Sequence, residues 1–209
     1  MDLVDRFAAA FEGSDKAHGQ TTVGAKRRNG KTEAKSLIVK EPLTKELIAQ
    51  HLNGHKGVGS IPITDQNVCK FGVLDIDKYP IDHSQIQKKC DKLGIPFVVC
   101  RSKSGGAHLF LFMKDWVRAV DMRDYLTEFS AVLGYSGCEV FPKQDQILAE
   151  RGDVGNFINL PYFDSENTLR YAVNAKGAEL SLEQFLNLVE KRKTSLDDLS
   201  KLKFESKEE

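Results

Sequence analysis

The sequence predicts an α+β fold in which a split βαβ module packs on a smaller N-terminal αβ module. Between Phe71 and Phe141, apolar strand patterns and amphipathic helix patterns follow in the order strand, helix, strand, strand, helix, strand. Ser104-Gly105-Gly106 separates the two inner strands, where glycines permit a hairpin turn. Ahead of that run, residues 1–66 carry two helical patterns of their own.

Leu3, Val4, Phe7 and Phe11 recur at helical spacing, and Gly13 marks the end of that helix. Asn29-Gly30 lies between two polar, strand-like arms and reads as a hairpin turn. Thr44 is placed to cap a helix burying Leu47, Ile48 and Leu52, with Gly54 as its stop. Gly57 and Gly59 read as a glycine-rich turn leading into strands.

Phe71 to Asp77 is a short apolar run with its acids only at the end, as expected of a buried strand. Asp82 to Leu93 puts Ile86, Cys90 and Leu93 on one helical face, terminated by Gly94 and Pro96. Phe97–Cys100 and His108–Met113 follow as strands, Val117–Leu133 as a helix, and Glu139–Phe141 as a strand ended by Pro142. Phe157–Leu160 and Leu169–Val173 add two strands, and Ser181 with Gln184 opens a helix through a capping box. The expected organisation is one domain over residues 1–194, divided into modules 1–66 and 67–194, with a charged tail over 195–209.

Lys+Arg and Asp+Glu both number 30, so any grip on nucleic acid must come from local patches rather than net charge. No stretch approaches the ~20 apolar residues of a membrane span, and Asp2 and Asp5 stand where a secretory leader would be basic. The expectation is a cytoplasmic protein with no membrane partner. The four cysteines form no C-x-x-C pair, which argues for buried thiols over zinc or disulfides.

Asp75 and Asp77 are two apart on a strand, so both side chains project from one face at its end. Two like charges so placed call for a cation, and a hard ion such as Mg²⁺ takes one or two carboxylates plus water and phosphate oxygens. Alone, the pair is better read as an acidic turn before Lys78 and Pro80. Ser104, Gly106 and His108 change the balance. In the split βαβ order the first and third strands are neighbours, which brings His108 toward the acids, while Ser104, Lys103 and His108 offer donors to phosphate. Glu139 on the last strand is the best third carboxylate, with Asp145 its competitor, and Lys143 is placed to balance triphosphate charge.

With these motifs in this order, the chain resembles the archaeo-eukaryotic primase (primase-polymerase) superfamily. Asp75 and Asp77 are similar to its paired acids, Ser104, Gly106 and His108 to its serine-histidine motif, and Glu139 to its strand-borne third acid. Phe141-Pro142-Lys143-Gln144-Asp145 and Gly155-Asn156-Phe157-Ile158-Asn159-Leu160-Pro161 are similar to the phage, plasmid and TOTE conflict-system branch. The resemblance covers residues 40 to 192. It implies the archaeo-eukaryotic primase fold, with an RRM-like catalytic module over 67–194.

The resemblance also implies a DNA primase-polymerase that joins (d)NTPs to a 3′-hydroxyl with Mg²⁺ or Mn²⁺ in a two-metal site. Asp75, Asp77 and Glu139 would hold the metals, and Ser104, Gly106, His108, Lys103 and Lys143 the nucleotide. Expected partners are a single-stranded DNA template, gripped near Lys26, Arg27 and Arg28, and a replicative helicase or helical priming domain absent from this chain. The expected setting is a prokaryotic or phage-infected cell. The rival reading is a non-catalytic RRM-like module that binds single-stranded nucleic acid by stacking bases on its strands.

Overall fold

Two four-stranded antiparallel sheets share a core in the computed structural model, which describes the backbone of residues 1–26 and 32–204 and the side chains of 1–22 and 35–204. The first sheet has the order β2-β1-β3-β8, from β1 (His18–Lys26), β2 (Thr32–Val39), β3 (Gly57–Ser60) and β8 (Ile158–Asn159). The second has the order β5-β6-β4-β7, from β4 (Val68–Ile76), β5 (Val98–Arg101), β6 (Ala107–Arg118) and β7 (Glu139–Phe141). With α3 (His83–Leu93) and α4 (Ala119–Leu133) in sequence between them, these strands form the split βαβ order.

Alternation along the strands divides the second sheet between two cores. Leu74 and Ile76 on β4, with Leu109 and Leu111 on β6, pack against Ile86 and Cys90 of α3 and Leu126 and Phe129 of α4. Phe71 and Val73, with Phe110 and Phe112, turn to the opposite face, where α1 (Leu3–Ala10), α2 (Lys45–Leu52) and α5 (Leu182–Arg192) cover them. Phe11, at the C-terminus of α1, meets Phe71, Phe110 and Phe112 edge to face at centroid distances of 5.4, 5.3 and 5.5 Å. Each such pair adds about 1 kcal/mol beyond burial.

Local chemistry fixes the helix ends where the sequence places them. Thr44 accepts from Leu47 N, Asp82 from Ser84 N and Gln85 N, and Ser181 with Gln184 makes both bonds of a capping box. Gly94 and Gly134 close α3 and α4 in the left-handed conformation.

Five expectations change. Gly57–Ser60 is a strand rather than a turn, paired with β1 and β8, because its neighbours supply the ladder that its glycines do not favour. Strand β6 runs on to Arg118, since Val117 pairs with Cys69, so α4 starts at Ala119. The 169–173 segment bridges β5 only at Cys100–Ala172, and Leu169 is 71% exposed. The division at 66/67 is crossed by β8, which completes the N-terminal sheet. The expected tail begins with helix α6 (Leu196–Ser200), whose Leu199 is buried, and Phe204 packs edge to face on Phe129. The arms around Asn29-Gly30 pair as β1 and β2, while that turn, Arg27 and Arg28 and the Lys26 side chain lie outside the described residues.

Candidate active site

One row across the second sheet carries the chemistry. Asp75 on β4 is paired with His108 on β6 and with Glu139 on β7, and His108 is in turn paired with Cys100 on β5. Directly opposed residues share a sheet face, so all four project to the side covered by the N-terminal half. The preceding row, Val98, Phe110, Val73 and Phe141, lies in the apolar core. The polar row therefore begins where the core ends, with Asp77 just beyond.

Asp75 is the buried acid of the row, its side chain 17% exposed. Its Oδ1 is enclosed and has no hydrogen-bond partner among the described residues. His108 Nε2 lies 3.4 Å away, within ion-pair reach but without hydrogen-bond alignment. A buried carboxylate oxygen left in this state is stabilised by a cation.

The Ser104 turn is clamped from several sides. Ser102 N donates to Gly106 O at 2.9 Å and Gly105 N to Ser102 O at 3.0 Å, closing the turn. His83, in the first turn of α3, meets Gly106 O through Nε2 at 2.7 Å. A Cβ at Gly106 would stand 2.5 Å from Ile76 O and 2.9 Å from Asp77 Oδ1, so only glycine allows this approach. The turn presents Ser104 Oγ to Asp77 Oδ1 at 3.4 Å, and Tyr79 OH reaches the same oxygen at 3.4 Å and Ser104 Oγ at 3.1 Å. Burial, and then the nearby Arg170 charge, lower the pKa of Lys103 from its ordinary value.

Glu139 and Lys143 sit at the rim. The Glu139 side chain is 63% exposed and accepts from Lys143 Nζ at 3.0 Å, while that ammonium lies 5.1 Å from the Phe141 ring centroid. Asp145, the competitor for the third acid, is held by Arg123 Nε at 2.6 Å. Among the described residues, no three His, Cys, Asp or Glu side chains converge as a metal-binding group. The acids suited to a cation are Asp75 and Asp77, with Glu139 beside them in register but turned to Lys143.

Asp75, Asp77, Lys103, Ser104 and His108 line one cleft of about 480 Å³ with Ser102 and Phe141. Its other wall comes from the first sheet: Ser36, Phe157, Ile158 and Asn159. The sequence reading did not single out Ser36, Tyr79 or His83, and it took Phe157 and Asn159 as strand residues within the Gly155–Pro161 run of the resemblance, with no role in the site. Tyr79 and His83 had only nearness to the paired acids as a signal, and Ser36 had none. Cys100, behind His108, is fully buried, which raises its thiol pKa, and burial pushes Cys69 and Cys90 up to about 12.

This α+β domain, with paired acids on an inner strand and Ser104 and His108 beside them, belongs to the archaeo-eukaryotic primase class, which is generally one of primase- and polymerase-like nucleotidyltransferases. Within that class, the chain belongs to the family described as the Archaeo-Eukaryotic Primase domain of TOTE conflict systems, whose model matches residues 5–202. Among solved structures it is similar to the AEP domain of the cyanophage S-2L primase-polymerase, at 12% identity and a TM-score of 0.46, over 90% of this chain and 96% of that one. No curated protein matches it. Among the described residues, no helix is long and apolar enough to cross a membrane.

Proposed function

We propose that the chain is the catalytic domain of a DNA primase-polymerase, joining (d)NTPs to a 3′-hydroxyl on a single-stranded DNA template. The observation that carries this reading is the enclosed, unpartnered Asp75 Oδ1, set between His108 and Glu139 and two residues from Asp77. Asp75 and Asp77 would hold Mg²⁺ or Mn²⁺, which supplies a more acidic 3′-hydroxyl and neutralises charge on the triphosphate.

The protein's own groups position the reactants. His108 is fixed against Asp75 by strand pairing, and the turn clamped by His83 holds Ser104 beside Asp77; in this reading both would meet the phosphates. Lys103 adds positive charge to the same cleft. Lys143 neutralises Glu139. Exchanging it for a metal ion would complete a three-acid site and free the ammonium for the triphosphate.

The reading as a bare RRM-like binding module loses its stacking surface. Phe71, Phe110 and Phe112, the strand aromatics on the corresponding face, are at most 1% exposed beneath α1 and α5. Extension of a primed single-stranded template with Mg²⁺ or Mn²⁺ tests the proposal, comparing the wild-type chain with Asp75→Ala/Asp77→Ala. Synthesis by the first and none by the second is expected. DNA binding without metal-dependent synthesis would overturn it.

A further inference from the structure

The cleft wall opposite Asp75 and Asp77 takes no part in the transfer just described, yet it is built around an aromatic ring. A Cβ on Gly19 would lie 2.1, 2.2 and 2.5 Å from Cδ2, Cγ and Cε2 of Phe157. Near-equal distances to three adjacent ring atoms place that point over the ring face, because an in-plane approach would leave one atom clearly nearest. A Cβ on Gly59 would meet the same Cδ2 at 2.4 Å. Gly19 and Gly59 are register partners on β1 and β3, so two facing glycines form a flat seat for one face of the ring. Phe157 is nevertheless only half-buried, and it lines the cleft shared with the acids.

Two residues along, Asn159 is oriented from behind. Thr21, itself 4% exposed, donates through Oγ1 to Asn159 Oδ1 at 2.9 Å. That bond ties the carbonyl oxygen to the sheet and leaves Nδ2 as a donor toward the cleft, which Asn159 also lines. The first sheet therefore offers a seated aromatic plane and an aligned amide, facing carboxylates and phosphate donors across about 480 Å³. That volume suits a nucleotide-sized ligand.

We infer that Phe157 and Asn159 form the nucleoside pocket for the incoming nucleotide. The base stacks on the cleft-facing side of Phe157, and Asn159 Nδ2 donates to an oxygen of the base or sugar, while the phosphates meet the Asp75–Asp77 side. This inference rests on the nucleotidyl-transfer reading. Stacking tolerates any base, so Phe157 contributes affinity for every nucleotide and Asn159 the hydrogen-bond selectivity.

The test uses the full chain with 2-aminopurine deoxyribonucleoside triphosphate and Mn²⁺, following quenching of the fluorescent base as it stacks. Phe157→Leu should weaken binding roughly 10- to 100-fold and abolish the quenching, and Phe157→Tyr should preserve both. Asn159→Ala should weaken binding while keeping the quenching. Inorganic tripolyphosphate, which has no nucleoside, should bind all four proteins alike. Wild-type affinity and quenching in Phe157→Leu would overturn the inference, as would an equal loss of tripolyphosphate binding, the mark of a merely structural role. Primer extension is read separately. Phe157-dependent binding without synthesis upholds the pocket and defeats the transferase reading, whereas a wild-type chain that binds no nucleotide defeats both.

Discussion

Asp75 and Glu139 are register partners on adjacent antiparallel strands, yet the Glu139 carboxylate turns to Lys143 Nζ at 3.0 Å. Lys143 therefore competes with a metal ion for the third acid. Lys143→Ala should tighten Mn²⁺ binding several-fold and raise the KM for nucleotide roughly 10-fold, as the triphosphate loses a cation. Calorimetric Mn²⁺ titration and steady-state extension read the two effects. Loosened metal binding would contradict the competition.

Asp75→Asn should trade function for stability. The enclosed Oδ1 lacks a hydrogen-bond partner, and the amide takes a formal charge out of that enclosed position. The melting temperature should rise by about 2–4 °C, the equivalent of about 1 kcal/mol in a chain of this size. Extension activity should vanish, and the stabilisation that Mn²⁺ gives the wild-type chain should shrink sharply.

Gly106→Ala should damage the site through the backbone. The added methyl meets Ile76 O at 2.5 Å, and a main-chain atom in a paired strand cannot swing aside. Displacing the Ser104 turn should cost roughly 10- to 100-fold in activity and about 1–3 kcal/mol in stability. Denaturant melts and extension assays on one preparation give both numbers.

His51 sets an acid limit on the fold. It is fully buried, accepts from Val58 N at Nδ1 and donates from Nε2 to Pro161 O, and burial lowers its pKa from 6.5 to about 4. Above pH 6.5 the imidazole is neutral both folded and unfolded. Between pH 6.5 and 4 the unfolded chain takes up a proton that the folded chain refuses, so stability falls with pH, by roughly 3 kcal/mol across the window. His51→Gln should flatten that part of the stability–pH curve, and an unchanged slope would rule His51 out.

Phe11→Ala should open the fold at its shared core. The ring touches three phenylalanines of the second sheet, and its loss should cost roughly 3–5 kcal/mol. A hydrophobic fluorescent dye should then bind the variant, as Phe71, Phe110 and Phe112 become accessible.

The second sheet was legible because its strands are apolar and its turns carry glycine. Phe71 to Asp77 announces both a buried strand and the acids at its end, and the adjacency of the first and third strands then follows from the split βαβ order. Strand β3 was not legible, because Gly57-Val58-Gly59-Ser60 has little strand preference of its own. Gly59 makes room for Phe157, a residue 98 positions further on, and no local pattern records that contact. Helix α6 was hidden by composition: its charges outnumber the one buried leucine that docks it. The pairing of Glu139 with Lys143 depends on side-chain reach at a strand end, which periodicity does not encode.

Because β8 closes the first sheet only after β4 to β7, the chain's folding order on the ribosome is constrained. Until residue 159 has left the exit tunnel, β3 has an open edge and Phe157 has not reached its seat. The strands bearing Asp75, His108 and Glu139 can pair before then. A nascent chain that has emerged from the tunnel only as far as residues 145–155 would thus hold the charged half of the cleft, with Ser36 as the one part of the opposite wall already in place.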